Sequence, residues 1–82
     1  MSALFYFDEK LSAERARDDC TRETIERQLE VYVFDGKLYL RVGPPPDDTK
    51  GEFPVRIKLS QKNFGLLRRG LRNAGKYVKY LA

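Results

Sequence analysis

The segment LEVYVFDGKLYLRVG, residues 29–43, restricts the fold more than any other part of this 82-residue chain. Asp35-Gly36 is a typical type I′ turn, and alternating residues flank it on both sides. A two-residue loop pairs Phe34 with Lys37 and thereby fixes every later pair of the hairpin. The apolar face then carries Leu29, Val31, Val33, Leu38, Leu40 and Val42. The opposite face carries an aromatic pair and an opposite-charge pair, namely Tyr32 with Tyr39 and Glu30 with Arg41.

Alternation outside this hairpin predicts further strands. Residues 53–59 alternate again, which predicts an antiparallel strand with Val55, Ile57 and Leu59 on one side and Arg56 and Lys58 on the other. Residues 43–52, GPPPDDTKGE, predict a solvated loop before it. The first hairpin strand extends back to about residue 24. Residues 3–7, ALFYF, are apolar enough to form an added strand or to pack against the core.

The C-terminal segment has the pattern of an amphipathic helix. Ser60 is a good N-cap for a helix from Gln61 to about Asn73, and the last seven residues fit either more helix or a short strand. Apolar residues recur at spacings of three and four at Phe64, Leu67, Leu71, Ala74, Val78 and Leu81. Basic residues recur in the same way, about 140° around the helix. The apolar stripe predicts a helix that covers the apolar face of the sheet.

The N-terminal segment predicts a second, shorter helix. Leu11, Ala13, Ala16 and Cys20 form a narrow apolar face over residues 11–21. The chain is therefore predicted to be a single α+β domain, residues 1–82, with a small antiparallel sheet of three or four strands. One apolar face of that sheet is covered by the C-terminal amphipathic helix. A chain of this size buries only about 60% of its unfolded surface, so the core is thin.

The charge of the chain is strongly one-sided. Residues 1–30 hold eight carboxylates and five cations, a net −3, and residues 31–54 hold four and three, a net −1. Residues 55–82 hold eight cations and no carboxylate, which brings the whole chain to +4. A segment charged in this way predicts an anionic partner.

Two kinds of anionic partner fit this pattern. The first is nucleic acid, whose phosphates the basic helix would contact with little dependence on sequence. The residues expected to bind are Lys62, Arg68, Arg69, Arg72, Lys76 and Lys79, assisted by Arg56 and Lys58. The second is an acidic surface of a protein, bound by a small regulator or inhibitor of the kind that phages and mobile elements direct against nucleic-acid-handling machines of the host. Its expected contacts are Tyr32, Tyr39 and Arg41. A solubilising role for the basic face is the plainer alternative.

Other functional classes find little support in the residues. The chain has no histidine, so Cys20 has no imidazole partner, and neither a metal site nor a cofactor is expected. The glycines do not match a phosphate-binding loop. The sequence therefore predicts a non-catalytic protein. A single cysteine, the lack of a long apolar run and the lack of a secretion signal predict a cytoplasmic protein, in the host cytoplasm if it is viral, without membrane contact. The residues do not indicate an oligomeric state.

Overall fold

The computed structural model describes residues 2–47 and 53–81 of the protein. Within these residues the elements are β1 (Leu4–Ala16), β2 (Arg22–Phe34), β3 (Lys37–Gly43), β4 (Val55–Leu59) and α1 (Gln61–Tyr77). The four strands form one antiparallel sheet in the order β1-β2-β3-β4. The predicted α+β class, with a small antiparallel sheet and a C-terminal helix, is confirmed. Part of the predicted loop, residues 48–52, lies outside the described residues.

The central hairpin has the predicted register. β2 and β3 pair from Phe34 with Lys37 to Leu29 with Val42, around a turn in which Asp35 and Gly36 have φ of 53° and 70°. Positive φ at both turn positions is what a type I′ turn requires, and asparagine, aspartate and glycine tolerate it best. β4 adds to β3 in a matching register, so that its aliphatic residues continue the apolar face.

The predicted N-terminal helix is wrong, because residues 11–16 belong to strand β1. Leu11 lies across from Arg27, and Ala13 lies across from Ile25. The period-2 arrangement of β1 therefore puts both residues on the apolar face of the sheet. Pairing with β2 gives this 13-residue edge strand a ladder of backbone hydrogen bonds on one side, and partial burial of Ala13 against the sheet adds to it, which outweighs the helix propensity of alanine, leucine and glutamate here. The apolar residues 4–7 form the start of the same strand, one of the two outcomes predicted for them.

The far ends of β1 and β2 form a two-stranded arm beyond the rest of the sheet. β3 pairs with β2 only from Gln28 onward, so residues 11–16 and 22–27 pair with each other alone. The arm ends in a tight loop in which Arg17 N–H donates to the Thr21 carbonyl at 2.8 Å. Asp19 Oδ1 accepts hydrogen bonds from Thr21 N–H at 3.1 Å and from Thr21 Oγ1 at 2.5 Å. These bonds lower the pKa of Asp19.

Helix α1 follows β4 after one residue. Ser60 has extended backbone angles, and its Oγ accepts a hydrogen bond from Asn63 N–H at 3.2 Å, as an N-cap does. The helix continues past the predicted end to Tyr77. The chain then turns back, since Tyr80 N–H donates to the Gly75 carbonyl at 2.8 Å. A β-carbon at Gly75 would lie 3.2 Å from Leu81 Cδ1, so this glycine permits the close return. Residues 78–81 are therefore a turn and not a strand.

The expectation that α1 covers the apolar face of the sheet is wrong for a single chain. Helix α1 leaves the sheet at edge strand β4 and lies only against that strand. No side chain of α1 is buried, and Ile57 in the middle of β4 remains 49% exposed. Tyr32, on the opposite face, is by contrast only 5% exposed. In the part of the chain that the structure describes, no helix is long and apolar enough to span a membrane.

Candidate nucleic-acid interface

The basic residues of α1 form an exposed stripe. Ser60 starts the helix and so fixes which positions share a face. The stripe consists of Lys62, Arg68, Arg69, Arg72 and Lys76, all exposed. From the first to the last of these is about 21 Å along the axis, at 1.5 Å per residue. Lys79 follows the helix in the final turn, where it has a φ of 64°, and is also exposed. The structure thus puts the predicted helix cations in one elongated basic surface.

These cations have no carboxylate partner among residues 2–47 and 53–81. Three arginines of the arm and its loop, in contrast, are paired with nearby acids. Glu23 binds both Arg15 and Arg17, and Arg22 lies 3.2 Å from a Glu14 carboxylate oxygen. Glu14 and Glu23 are thus paired locally, and no acid of residues 11–30 forms an ion pair with the helix. The positive charge of α1 is available to an external anion.

Two further cations lie on β4, on the polar face of the sheet. Lys58 is directly across from Tyr39 of β3, and Arg56 is directly across from Arg41. The Arg56 guanidinium carbon lies 4.6 Å from the centre of the Tyr39 ring, in a cation–π arrangement. Both β4 side chains are exposed, and neither has an ion-pair partner in the described part of the chain. Ser60 alone separates β4 from α1, so the basic surface is continuous along the chain from Arg56 to Lys76.

An aromatic row crosses the same face of the sheet. Tyr32 and Tyr39 stack with ring centres 5.4 Å apart, which confirms the predicted cross-strand pair. Phe5 of β1 extends the row, 5.2 Å from Tyr32. Sequence reasoning missed this contribution, because the pairing partner of residues 3–7 had not been predicted. Tyr32, in the middle of the row, is only 5% exposed.

An ion pair between Arg41 and Glu30 lies next to this row. Arg41 Nε donates to Glu30 Oε1 at 2.7 Å, and Nη2 donates to Oε2, which confirms the predicted opposite-charge pair. The Glu30 carboxylate raises the pKa of Arg41, mainly through these hydrogen bonds. The Arg41 guanidinium also lies 5.5 Å from the Tyr32 ring centre. Glu30 is buried, so this bidentate pair is held in a fixed geometry.

The residues expected to contact a protein partner, Tyr32, Tyr39 and Arg41, are packed within the sheet. Tyr32 is only 5% exposed, so its neighbours in the row and Arg41 leave almost none of the ring for another molecule. Tyr39 and Arg41 are half-buried, and each already has a partner within the sheet. The row therefore has the contacts of a small core, whereas the cations of β4 and α1 have the exposure of a binding surface.

Nothing in the described ranges suggests a metal site, since no group of three or more cysteine, aspartate or glutamate residues comes together there. Comparisons of the chain with protein-family models, curated proteins and solved structures find no match. The geometry of the site is thus the basis for any functional assignment.

Proposed function

We propose that this protein binds nucleic acid through the basic surface, meaning the cations of β4 and α1. The observation that carries this proposal is that these cations are exposed and have no carboxylate partner among the described residues, whereas the structure pairs cations of the other strands and of the arm, namely Arg15, Arg17, Arg22 and Arg41, with carboxylates. Exposed like charges along one helix repel each other, and binding phosphates relieves that repulsion and releases counterions.

The chemistry of the surface favours contact with the nucleic-acid backbone. Arginine and lysine bind phosphate oxygens by charge-assisted hydrogen bonds, and such contacts do not distinguish bases. Tyr32 and Tyr39, the central rings of the aromatic row, are buried and half-buried, which leaves mainly Phe5 at the edge of the sheet for stacking on bases. The proposed binding is therefore dominated by phosphate contacts and depends weakly on sequence.

Removing two charges at different places tests this proposal. Arg69→Gln with Arg72→Gln removes two cations from the basic surface. Arg17→Gln with Arg22→Gln removes two cations from the arm, where each is paired with a carboxylate. Both double variants change the net charge of the chain by the same amount and use the same substitution, so only the position of the lost charge differs.

Fluorescence anisotropy with labelled duplex and single-stranded oligonucleotides at low salt gives the affinities. We expect the helix variant to weaken binding about tenfold or more for every oligonucleotide, since hydrogen bonds to charged groups contribute about 1.5–3 kcal/mol each. The arm variant should bind within about twofold of the native chain. Equal losses in the two variants would mean that net charge alone matters, and absence of binding by the native chain would remove the proposal.

A further inference from the structure

The apolar face of the sheet has no partner within the described chain. It is built from aliphatic residues of all four strands and from Phe7 of β1. Val55 and Ile57 of β4 are 65% and 49% exposed, and Leu4, Phe7 and Leu11 of β1 are also exposed. The face carries no charged residue on β3 or β4, and Glu9 and Arg27 lie on it toward the arm, where they are paired across from Leu29 and Leu11. Its surface therefore resembles half of a protein core.

The apolar stripe of α1 is uncovered in the same way. Phe64, Leu67 and Leu71 lie on one side of the helix, and Leu71 is 65% exposed. The first turn lines a shallow groove with Leu38 and Leu59, and the rest of the stripe continues past the edge of the sheet. One chain thus presents two apolar surfaces that would cover each other but that it does not itself bring together.

The accessible surface area of the chain is larger than that of a compact monomer, and the excess matches the interface of a dimer. The chain exposes 7166 Å², whereas a compact monomer of its mass, 9.6 kDa, exposes about 5,100 Å². Its radius of gyration is 15.2 Å, compared with about 12 Å for a compact domain of this length. The excess surface is about 2,100 Å² per chain, and burying it on two chains gives an interface within the range of about 2,000–5,000 Å² found in obligate homodimers.

We propose that the protein is a homodimer. In this dimer the apolar sheet face and the apolar stripe of α1 of one copy are buried against the apolar sheet face and the apolar stripe of the other. Two-fold symmetry requires a self-complementary surface, and this chain provides both an apolar sheet and an apolar helix to cover it. Lys62, Arg69, Arg72 and Lys76 lie about 140° from the stripe, so they remain exposed in the dimer. Arg68 borders the stripe, since it is four residues after Phe64 and three before Leu71, and it lies at the rim of the interface. Most of the positive charge of the two chains therefore does not meet at the interface. A second copy therefore fits the surface without any additional component.

The oligomeric state of the native chain is the first test. Sedimentation equilibrium of nuclease-treated protein, in reducing buffer so that the exposed Cys20 cannot cross-link, should give twice the mass of 9.6 kDa. The melting temperature should rise with protein concentration, since folding and association are linked. A mass of 9.6 kDa with a cooperative, concentration-independent melt would overturn the proposal. The test involves no nucleic acid, so its result is separate from the proposed function.

Two variants locate the interface. Leu71→Glu on the helix and Val55→Glu on the sheet each put a charge on the proposed interface, at side chains that are largely exposed in a single chain. Each should raise the dimer dissociation constant at least about thirtyfold. Asn73→Glu is the control, because it adds the same charge two residues along the same helix, about 160° from Leu71, and should leave the dimer intact.

Circular dichroism spectra show whether each variant is folded, and the interpretation of its oligomeric state depends on that. Loss of the circular dichroism spectrum in Leu71→Glu, with a native spectrum in Asn73→Glu, supports the proposal, since Leu71 is largely exposed in a single chain and its burial must come from another copy. Folded, fully dimeric Leu71→Glu and Val55→Glu would overturn it, because the interface would then lie elsewhere.

Discussion

At the scale of single residues, the glycines of α1 have different roles. Gly65 and Gly70 have no heavy atom within 4 Å of a β-carbon built on them, whereas Gly75 permits the close return of Leu81. Gly65→Ala should therefore stabilise the protein by about 0.5–1 kcal/mol, because alanine loses less backbone entropy in a helix. Gly36→Ala should destabilise it, since the turn needs a φ of +70° there. Urea unfolding of both variants measures the difference, and destabilisation by Gly65→Ala would show that this site is in close contact with another group.

Ion pairs of the same residue types differ in strength with burial. Glu30 is buried against Arg41 and the aromatic row, whereas Glu14 and Arg22 are exposed on the arm. Glu30→Ala should cost about 2 kcal/mol or more of unfolding free energy, because it leaves a half-buried guanidinium without its hydrogen-bond partner. Glu14→Ala removes an exposed pair and should cost less than about 1 kcal/mol. Equal midpoints for these two variants in urea unfolding would contradict this difference.

At the scale of secondary-structure elements, sequence alone predicted the parts whose signals are local. The Asp35-Gly36 turn fixed the hairpin register, and alternation around Ile57 predicted β4. Ser60 predicted the start of α1. The second half of β1 was missed because Leu11, Ala13 and Ala16 fit a helix as well as a strand, and what decides between the two is pairing with β2. A five-residue loop joins β1 to β2. This loop contains no turn dipeptide of the Asp-Gly kind, so the sequence held no local sign of the β1–β2 hairpin.

The β1–β2 arm carries a pH-sensitive ion-pair cluster. Glu23 accepts hydrogen bonds from the Nε groups of Arg15 and Arg17, each at 2.9 Å. The Arg15 hydrogen bond first, and the Arg17 hydrogen bond second, lower the pKa of Glu23 from its ordinary value of 4.5. A carboxyl group with a lowered folded-state pKa stabilises the fold above its unfolded pKa, and this contribution is lost as the pH falls through the folded value. The arm should thus loosen below about pH 4.5.

Nuclear magnetic resonance can follow this loosening directly. The Nε–H signals of Arg15 and Arg17 should move toward the position of free arginine as the pH falls through the lowered Glu23 pKa. In Glu23→Gln they should show no such step, since glutamine does not titrate. Signals in the native chain that stay constant through this range would show that the cluster does not form in solution.

At the scale of the whole molecule, the sequence predicted the two apolar surfaces but not which surface covers each of them. The stripe of Phe64, Leu67 and Leu71 and the sheet face around Ile57 were both identified from their periods. Periodicity tells which residues avoid water, and it carries no information on whether the covering surface belongs to the same chain. The basic surface could be predicted because residues 55–82 contain no carboxylate. The cations of this segment therefore have no acidic partner close to them in the sequence.

The salt dependence of binding tests the basic surface as a unit. A surface that contacts four to six phosphates should give a slope of log affinity against log salt concentration of about −4 to −5 on duplex DNA, because each neutralised phosphate releases about 0.9 counterion. Arg69→Gln with Arg72→Gln removes two of the contacting charges, so the slope should become shallower by about 2. The arm variant, Arg17→Gln with Arg22→Gln, should keep the native slope, since its arginines are paired with Glu23 and Glu14. Anisotropy titrations at several salt concentrations give the three slopes. A native slope near zero, or an equal change in both variants, would show that phosphates are not bound by α1.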